Sequence, residues 1–507
     1  MKDEIIIGTD IGTGSCKAVA VTVSGKVLNE TQEFYNTIHP KEGYSELDPE
    51  IILHGYIRCI KKLTLQLTQP VIALSISSAM HSLMLMDENN QPLTGLITWE
   101  DTRSYPIASQ LRGSSLGKKI YKTTGTPLHS MSPLCKISWF NRNKKNLFRR
   151  AAKFIGIKEF LWYQLFGVYE VDYSIASATG LFDILNLKWF PPALKFCGIA
   201  ESQLSRPVNT TSIRTNPSAD FLQKTRLPES ISVCIGASDG CLANLGSQIS
   251  GKQKASLTIG TSGAIRVTTK KPIVNSETMI FNYLLDAKTF ISGGAINNGG
   301  NVMKWLIKEF MNKNKPGTQD FISVSKHVSQ VPVGSEGILC VPYLHGERAP
   351  VWDERAAATW IGVRGYHTKY HLIRAFQEGI AFSLKIILEN IEKQNGKIST
   401  IYASGGFTNS PEWLHLMADI TEKKIIVIEK EDASSVGAAF LAMSALKIKP
   451  EKKNEKEEFI ILPDTKAAYS YQKLFPIFKK MYPLTNKYIH QLQSLSIQSN
   501  KLRISNA

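Results

Sequence analysis

The sequence contains no Cys-x-x-Cys pair and no zinc-finger spacing: its seven cysteines, Cys16, Cys59, Cys135, Cys197, Cys234, Cys241 and Cys340, are scattered, several of them in apolar runs. That excludes a disulfide scaffold and reads as a reduced, intracellular pattern. His367 and His371 stand four apart without the neighbouring Glu of a zinc-hydrolase helix, so no metal site is expected there. No apolar run approaches the ~18 residues of a membrane span. The longest candidate, 70–86, is broken by serines and His81. The first residues, Met1-Lys2-Asp3-Glu4 and then only three isoleucines, do not read as a signal peptide. A soluble, cytoplasmic protein is expected. Neither Gly-x-x-x-x-Gly-Lys-Ser/Thr nor Gly-x-Gly-x-x-Gly occurs, which removes support from nucleotide sites built on those loops.

What is present points to a globular protein. Of 507 residues, 43% are apolar and 20% charged, which excludes a disordered chain. At about 150 residues per domain, two to four domains are expected. Sixty basic residues against 43 acidic ones give a net charge of +17. The excess is uneven: 136–158 holds eight Lys/Arg and no acid, and 447–507 holds twelve against five. Without interleaved aromatics or a nucleic-acid module these runs read as solvated faces, and neither nucleic acid nor membrane is an expected partner. A positive field still favours a site that handles phosphates.

The chain opens with a buried-type strand, Ile5-Ile6-Ile7, then Gly8-Thr9-Asp10-Ile11-Gly12-Thr13-Gly14-Ser15, then a second strand from Lys17. The same sketch returns 248 residues later, where Gly260-Thr261-Ser262-Gly263 joins two strand-like runs. A repeat at half the chain length suggests a duplicated domain. Alternating strands and helices between the two hairpins argue an α/β fold. The expected boundaries are 1–247, 254–446 and a basic helical extension, 447–507. A tight Gly-Thr turn presents backbone N–H groups and hydroxyls to one point, a geometry suited to phosphate oxygens. Lys17 follows the turn to add charge, and Asp10 could hold a hydrated Mg²⁺. Further glycine-rich turns are read at 292–300, 346–350 and 404–407. Gly236-Ala237-Ser238-Asp239-Gly240 has two readings. Ser238 could be the nucleophile of an α/β-hydrolase elbow. Alternatively, Asp239 ends a strand and accepts a proton from a substrate hydroxyl. The duplicated hairpins have no purpose in a hydrolase.

With these residues in view, the chain resembles the FGGY carbohydrate kinases of the actin-like ATPase superfamily from about residue 3 to 445. The resemblance rests on 8–14, Met80-His81, Trp99-Glu100-Asp101-Thr102-Arg103, Met131 to Phe140, 236–240, 260–263, Gly346-Glu347-Arg348-Ala349-Pro350 and Ser404-Gly405-Gly406-Phe407. Within the family, 79–82, 93–103, 124–133 and 236–246 are most similar to members that phosphorylate D-gluconate. Members acting on xylulose share Met80-His81 but differ over 129–133, and those acting on glycerol differ at Met80-His81.

The resemblance implies two duplicated actin-like (ribonuclease H-like) domains with an ATP and substrate cleft between them. Thr13, Gly14, Ser15, Lys17, Gly260, Thr261, Gly294, Asn298, Gly405, Gly406 and Ser410 would bind ATP, Asp10 would position Mg²⁺ through water, and Asp239 would be the base. Met80, His81, Asp101, Arg103 and Asp239 would bind a sugar acid, with Arg103 or Lys136 holding its carboxylate. Both cations also have bland readings: Arg103 could be salt-bridged to Asp101, and Lys136 could be a surface lysine. A homodimer is possible. Other sugars of the family, a non-catalytic actin-like protein and the Ser238 hydrolase are the alternatives.

Overall fold

Ile5, Ile6 and Ile7 are all buried, because the strand Ile5–Ile11 is covered on both faces. In this computed structural model, which describes residues 4–247, 249, 251–428, 432–450 and 459–505, that strand lies inside a six-stranded sheet. It turns back antiparallel into Ser15–Thr22 and then Val27–Phe34. On its other side it pairs parallel with Val71–Ser78, which pairs parallel with Ser232–Cys234.

Side-chain alternation sends Ile5, Ile7 and Ile11 to one face, against Ile52, Tyr56 and Ile60 of the helix Pro49–Thr64. Asp48 caps that helix by accepting from the backbone of Glu50 and Ile51, and Pro49 stands in its first turn. Ile6, Val19 and Val21 face the other way, against Ala439, Ala442 and Met443 of the helix Ala433–Ala445. That helix approaches its neighbours closely. A methyl group at Gly8 would sit 1.9 Å from the Ser435 carbonyl, and one at Gly437 would sit 2.0 Å from the Leu242 carbonyl.

The described residues group into two compact units. One comprises 4–247, 249, 268–292 and 432–450; the other comprises 251–267, 293–428 and 459–505. The chain therefore passes between units repeatedly, and a boundary at 247–254 marks only the first passage.

The second sheet repeats the plan of the first. Lys254–Ile259 turns back antiparallel into Gly263–Thr269 and pairs parallel with Thr400–Ser404, which pairs parallel with Lys424–Val427. The helix Lys369–Asn395 is buried along most of its length. The tail read as an extension folds onto it. In the helix Thr465–Ser505, Tyr471, Phe475 and Phe478 pack around Phe382, and the Tyr471 hydroxyl donates to Glu378 at 2.8 Å. The same carboxylate accepts from Arg374, Ser335 and the Gly334 backbone, so Glu378 ties three segments of this unit together.

Candidate active site

The first hairpin turn is drawn tight by the Gly12 N–H, which donates to the Ser15 carbonyl at 2.9 Å. The following strand braces it: the Tyr35 hydroxyl donates to the Gly12 carbonyl at 2.6 Å, and Gln32 donates to the Ser15 hydroxyl at 2.9 Å. Gly14 stands in open space, where a methyl group would meet nothing within 4 Å. Gly260 and Gly406 are equally open, whereas Gly8, Gly293, Gly405 and Gly437 are held by close backbone approach. Packing thus explains the second set and not the first. Lys17 forms an ion pair with Asp432 at the start of the helix Ala433–Ala445.

The antiparallel register places Asp10 opposite Lys17, and the parallel register places it beside Ser77, whose hydroxyl donates to it at 2.5 Å. Burial, and then the negative charges of Asp239 and Asp432, push the Asp10 carboxyl up to about 7, against the opposing pull of Ser77 and Lys17. Asp10 and Asp239 therefore share one field. Asp239 begins the helix Asp239–Gly246 and accepts from the Gly240 N–H at 2.7 Å. Ser238 is fully buried and hydrogen-bonded to Ser174 at 2.8 Å. A nucleophilic serine needs access to its substrate, so the elbow reading fails here. Among the described residues no group of three or more His, Cys, Asp or Glu side chains is arranged to hold a metal. Asp10 fits a cation held through water rather than a full protein cage.

A small cavity in the same unit is lined by Gly12 and Thr13 of the hairpin and by Met80, Thr98 and Trp99. The phosphate-type turn and two of the expected sugar-side segments thus meet. The polar side chains expected there are already committed. His81 has a positive φ of 66°; its Nδ1 lies 2.8 Å from the Ala178 carbonyl and its Nε2 lies 3.2 Å from the Tyr283 hydroxyl. Asp101 is fully buried and accepts from the Ser45 backbone and from Arg103. Arg103 pairs with Asp101 and Glu46 and stacks 3.8 Å over Tyr44. Its side chain is 5% exposed, so the bidentate fork expected for a substrate carboxylate is spent within the protein. Lys136 is no surface lysine. It is fully buried and donates to the carbonyls of His81 at 2.6 Å and Thr98 at 2.7 Å. Burial lowers it to about 7, opposed by the charge of Asp101.

The second unit holds a cavity of about 350 Å³. Gly260, Thr261, Gly406 and Ser410 line it together with Gly300, Asn301 and Ser325, and Met303, Phe321, Ile322 and Trp413 supply apolar surface. The second hairpin sits on the helix Gly300–Met311: the backbone N–H groups of Gly300 and Asn301 donate to the carbonyls of Gly260 and Thr261. Ser410 caps the helix Pro411–Thr421 and shares a hydrogen bond with Ser325.

Three expected nucleotide contacts, Gly294, Asn298 and Gly405, do not line this cavity. Gly294 lies inside the strand Thr289–Ile296, not in a turn, and a methyl group there would press 2.7 Å from Ile387. Asn298 is buried and bridges Gly346, Glu347 and His345. Gly405 is a conformational glycine: its φ is +97°, and a methyl group would lie 2.5 Å from the Ile259 carbonyl. Asn301 and Ser325 were not legible in advance, since each sits in a helix whose sequence carries no phosphate-binding pattern.

Residues 5–246 match the N-terminal domain, and residues 255–446 the C-terminal domain, of the FGGY family of carbohydrate kinases. A gluconokinase of Bacillus subtilis (strain 168) is 38% identical over 447 residues, which is 87% of this chain and 87% of that protein. The crystal structure of gluconate kinase from Lactobacillus acidophilus superposes with a TM-score of 0.90 at 31% identity, covering 96% of this chain and 99% of that one. A ligand-bound xylulose kinase from the same organism gives a TM-score of 0.90 at 31% identity, covering 96% and 100%.

Proposed function

The chain belongs to the FGGY family of carbohydrate kinases, and from that membership we propose that it transfers the γ-phosphoryl group of ATP to the 6-hydroxyl of D-gluconate, giving 6-phospho-D-gluconate. One observation carries the chemistry. Asp10 and Asp239 lie close enough for the charge of one to raise the proton affinity of the other, in the unit that also bears the Gly12–Lys17 turn.

Asp239 orients the acceptor hydroxyl and takes its proton as the bond to phosphorus forms. A carboxylate is a weak base, which suffices because phosphoryl transfer is loose and the nucleophile needs aiming more than early deprotonation. Thr13, Gly14 and Ser15 give the transferred group backbone N–H donors and hydroxyls, with Lys17 adding positive charge. Asp10 would hold a hydrated Mg²⁺, which would supply charge neutralisation to the phosphate oxygens. In the second unit Gly260, Thr261, Gly406 and Ser410, with Asn301 and Ser325, are the residues assigned to nucleotide binding. Met80 and Trp99 face the sugar; His81, Asp101, Arg103 and Lys136 shape that site from within.

Gluconate is favoured over xylulose by the 38% identity to a gluconokinase. Xylulose is the second reading, on the strength of the equal structural likeness to a xylulose kinase. A coupled assay of ADP release over gluconate, xylulose, ribulose, glycerol and fuculose tests both. Highest kcat/KM with gluconate is expected. A xylulose preference would replace the substrate, and no sugar-dependent ADP release with any of the five would overturn the kinase reading of this site.

A further inference from the structure

Lys158 and Asp172 form an ion pair of 2.8 Å, with side-chain exposures of 1% and 0%. Two charges withdrawn from water are costly, and an apolar pair of similar volume often folds equally well. The placement of this pair is therefore informative. The Lys158 ammonium also donates to the Ala237 carbonyl at 2.8 Å, two residues before Asp239. The second oxygen of Asp172 accepts from Ile175 at 2.9 Å and caps the short helix Tyr173–Ser177. From that helix the Ser174 hydroxyl accepts from the Ser238 N–H at 3.1 Å. Ser238 also bridges to Ser78 of the strand Val71–Ser78, and Gly236, at φ +78°, is so close to that strand that a methyl group would lie 1.9 Å from the Ile76 carbonyl. The peptide run leading into Asp239 is thus held both by this strand and by the Lys158, Asp172 and Ser174 side chains.

We propose that the Lys158–Asp172 pair is a positioning device for Asp239: by fixing the Ala237 peptide plane it sets the direction in which the Asp239 carboxylate projects. This rests on the reading of Asp239 as the proton acceptor. Both side chains are buried, at 1% and 0% exposure, so the pair reaches the site through the turn. A shift of the base by about 1 Å costs on the order of 10²-fold in rate.

The test compares Lys158→Met with the double variant Lys158→Met/Asp172→Asn, which removes both charges while leaving an oxygen to cap Ile175. Melting temperature, ADP-binding stoichiometry by calorimetry, and kcat and KM for gluconate and MgATP are measured for each. Lys158→Met is expected to lower kcat per ADP-binding site ~100-fold with both KM values little changed. In the double variant the melting temperature recovers towards wild type, since no lone buried charge remains, while kcat stays low. If kcat recovers together with melting temperature, or if either variant keeps wild-type kcat, the pair is purely structural and the inference is overturned. Should Lys158→Met not fold, the double variant decides alone. Asp239→Asn separates the two levels: wild-type turnover in it removes the base reading itself, whereas an inactive Asp239→Asn beside an active double variant overturns only the positioning role.

Discussion

At the scale of single residues, Asp10 and Lys136 of the first unit have opposite pH signatures. Folded Asp10 keeps its proton up to about 7, while the unfolded chain releases it near the ordinary 3.8. The unfolded state then binds fewer protons across that window, so stability falls as pH rises from about 4 to about 7. Asp10→Asn removes this titration. Its melting temperature is expected to exceed wild type at pH 7.5, with the gap closing near pH 4 and turnover lost; a constant gap across that range would show that proton affinity is not the cause. Folded Lys136 releases its proton at about 7, against 10.5 unfolded, so its contribution to stability rises with pH over that interval. Lys136→Met unlinks the His81 and Thr98 carbonyls. KM for the sugar is expected to rise several-fold while KM for ATP holds, and a parallel rise in both would assign Lys136 to general stability. The residue types of the site were legible because Gly, Thr and Asp at a strand end have few other joint purposes. The pairing of Arg103 with Asp101 was one of the two readings, but its further partners Glu46 and Tyr44 were not legible, because they come from a distant stretch that no local pattern marks.

At the scale of elements, glycines divide by what surrounds them. Gly8→Ala would drive a methyl group to 1.9 Å from the Ser435 carbonyl, so the helix Ala433–Ala445 must shift. A loss of about 3 kcal/mol is expected from such overpacking, read as a lower urea midpoint. Gly14→Ala meets nothing within 4 Å and is expected to leave that midpoint unchanged while raising KM for ATP or lowering kcat. If Gly14→Ala is fully active, the turn does not receive phosphate. Both hairpins were legible from their Gly-Thr turns. Of the stretch 292–300, read as one turn, Gly293 and Gly294 lie inside the strand Thr289–Ile296, where a methyl group at Gly293 would sit 2.1 Å from the Ile265 carbonyl; the turn itself is confined to 297–299, ahead of the helix Gly300–Met311. A close backbone approach leaves the same residue in the sequence as a bend does.

At the scale of the whole molecule, the α/β class was visible in the alternation of strands and helices and the duplication in the repeat, but the traffic of the chain between units was not, since it depends on contacts hundreds of residues apart. The last helix shows the consequence. Removing residues 465–507 strips Tyr471, Phe475 and Phe478 from Phe382 and leaves buried Glu378 without its tyrosine partner. Calorimetry of that truncated protein is expected to find ADP binding lost together with cooperative melting of the second unit; retained binding would mean the tail is dispensable. The helix Ala433–Ala445 has a different implication, one of timing. It roofs a sheet whose first strand leaves the ribosome more than four hundred residues before it. The unit begun earliest is therefore completed only after most of the chain has been made, and for most of translation its apolar upper face, with the bare backbone at Gly8, awaits a cover not yet synthesised.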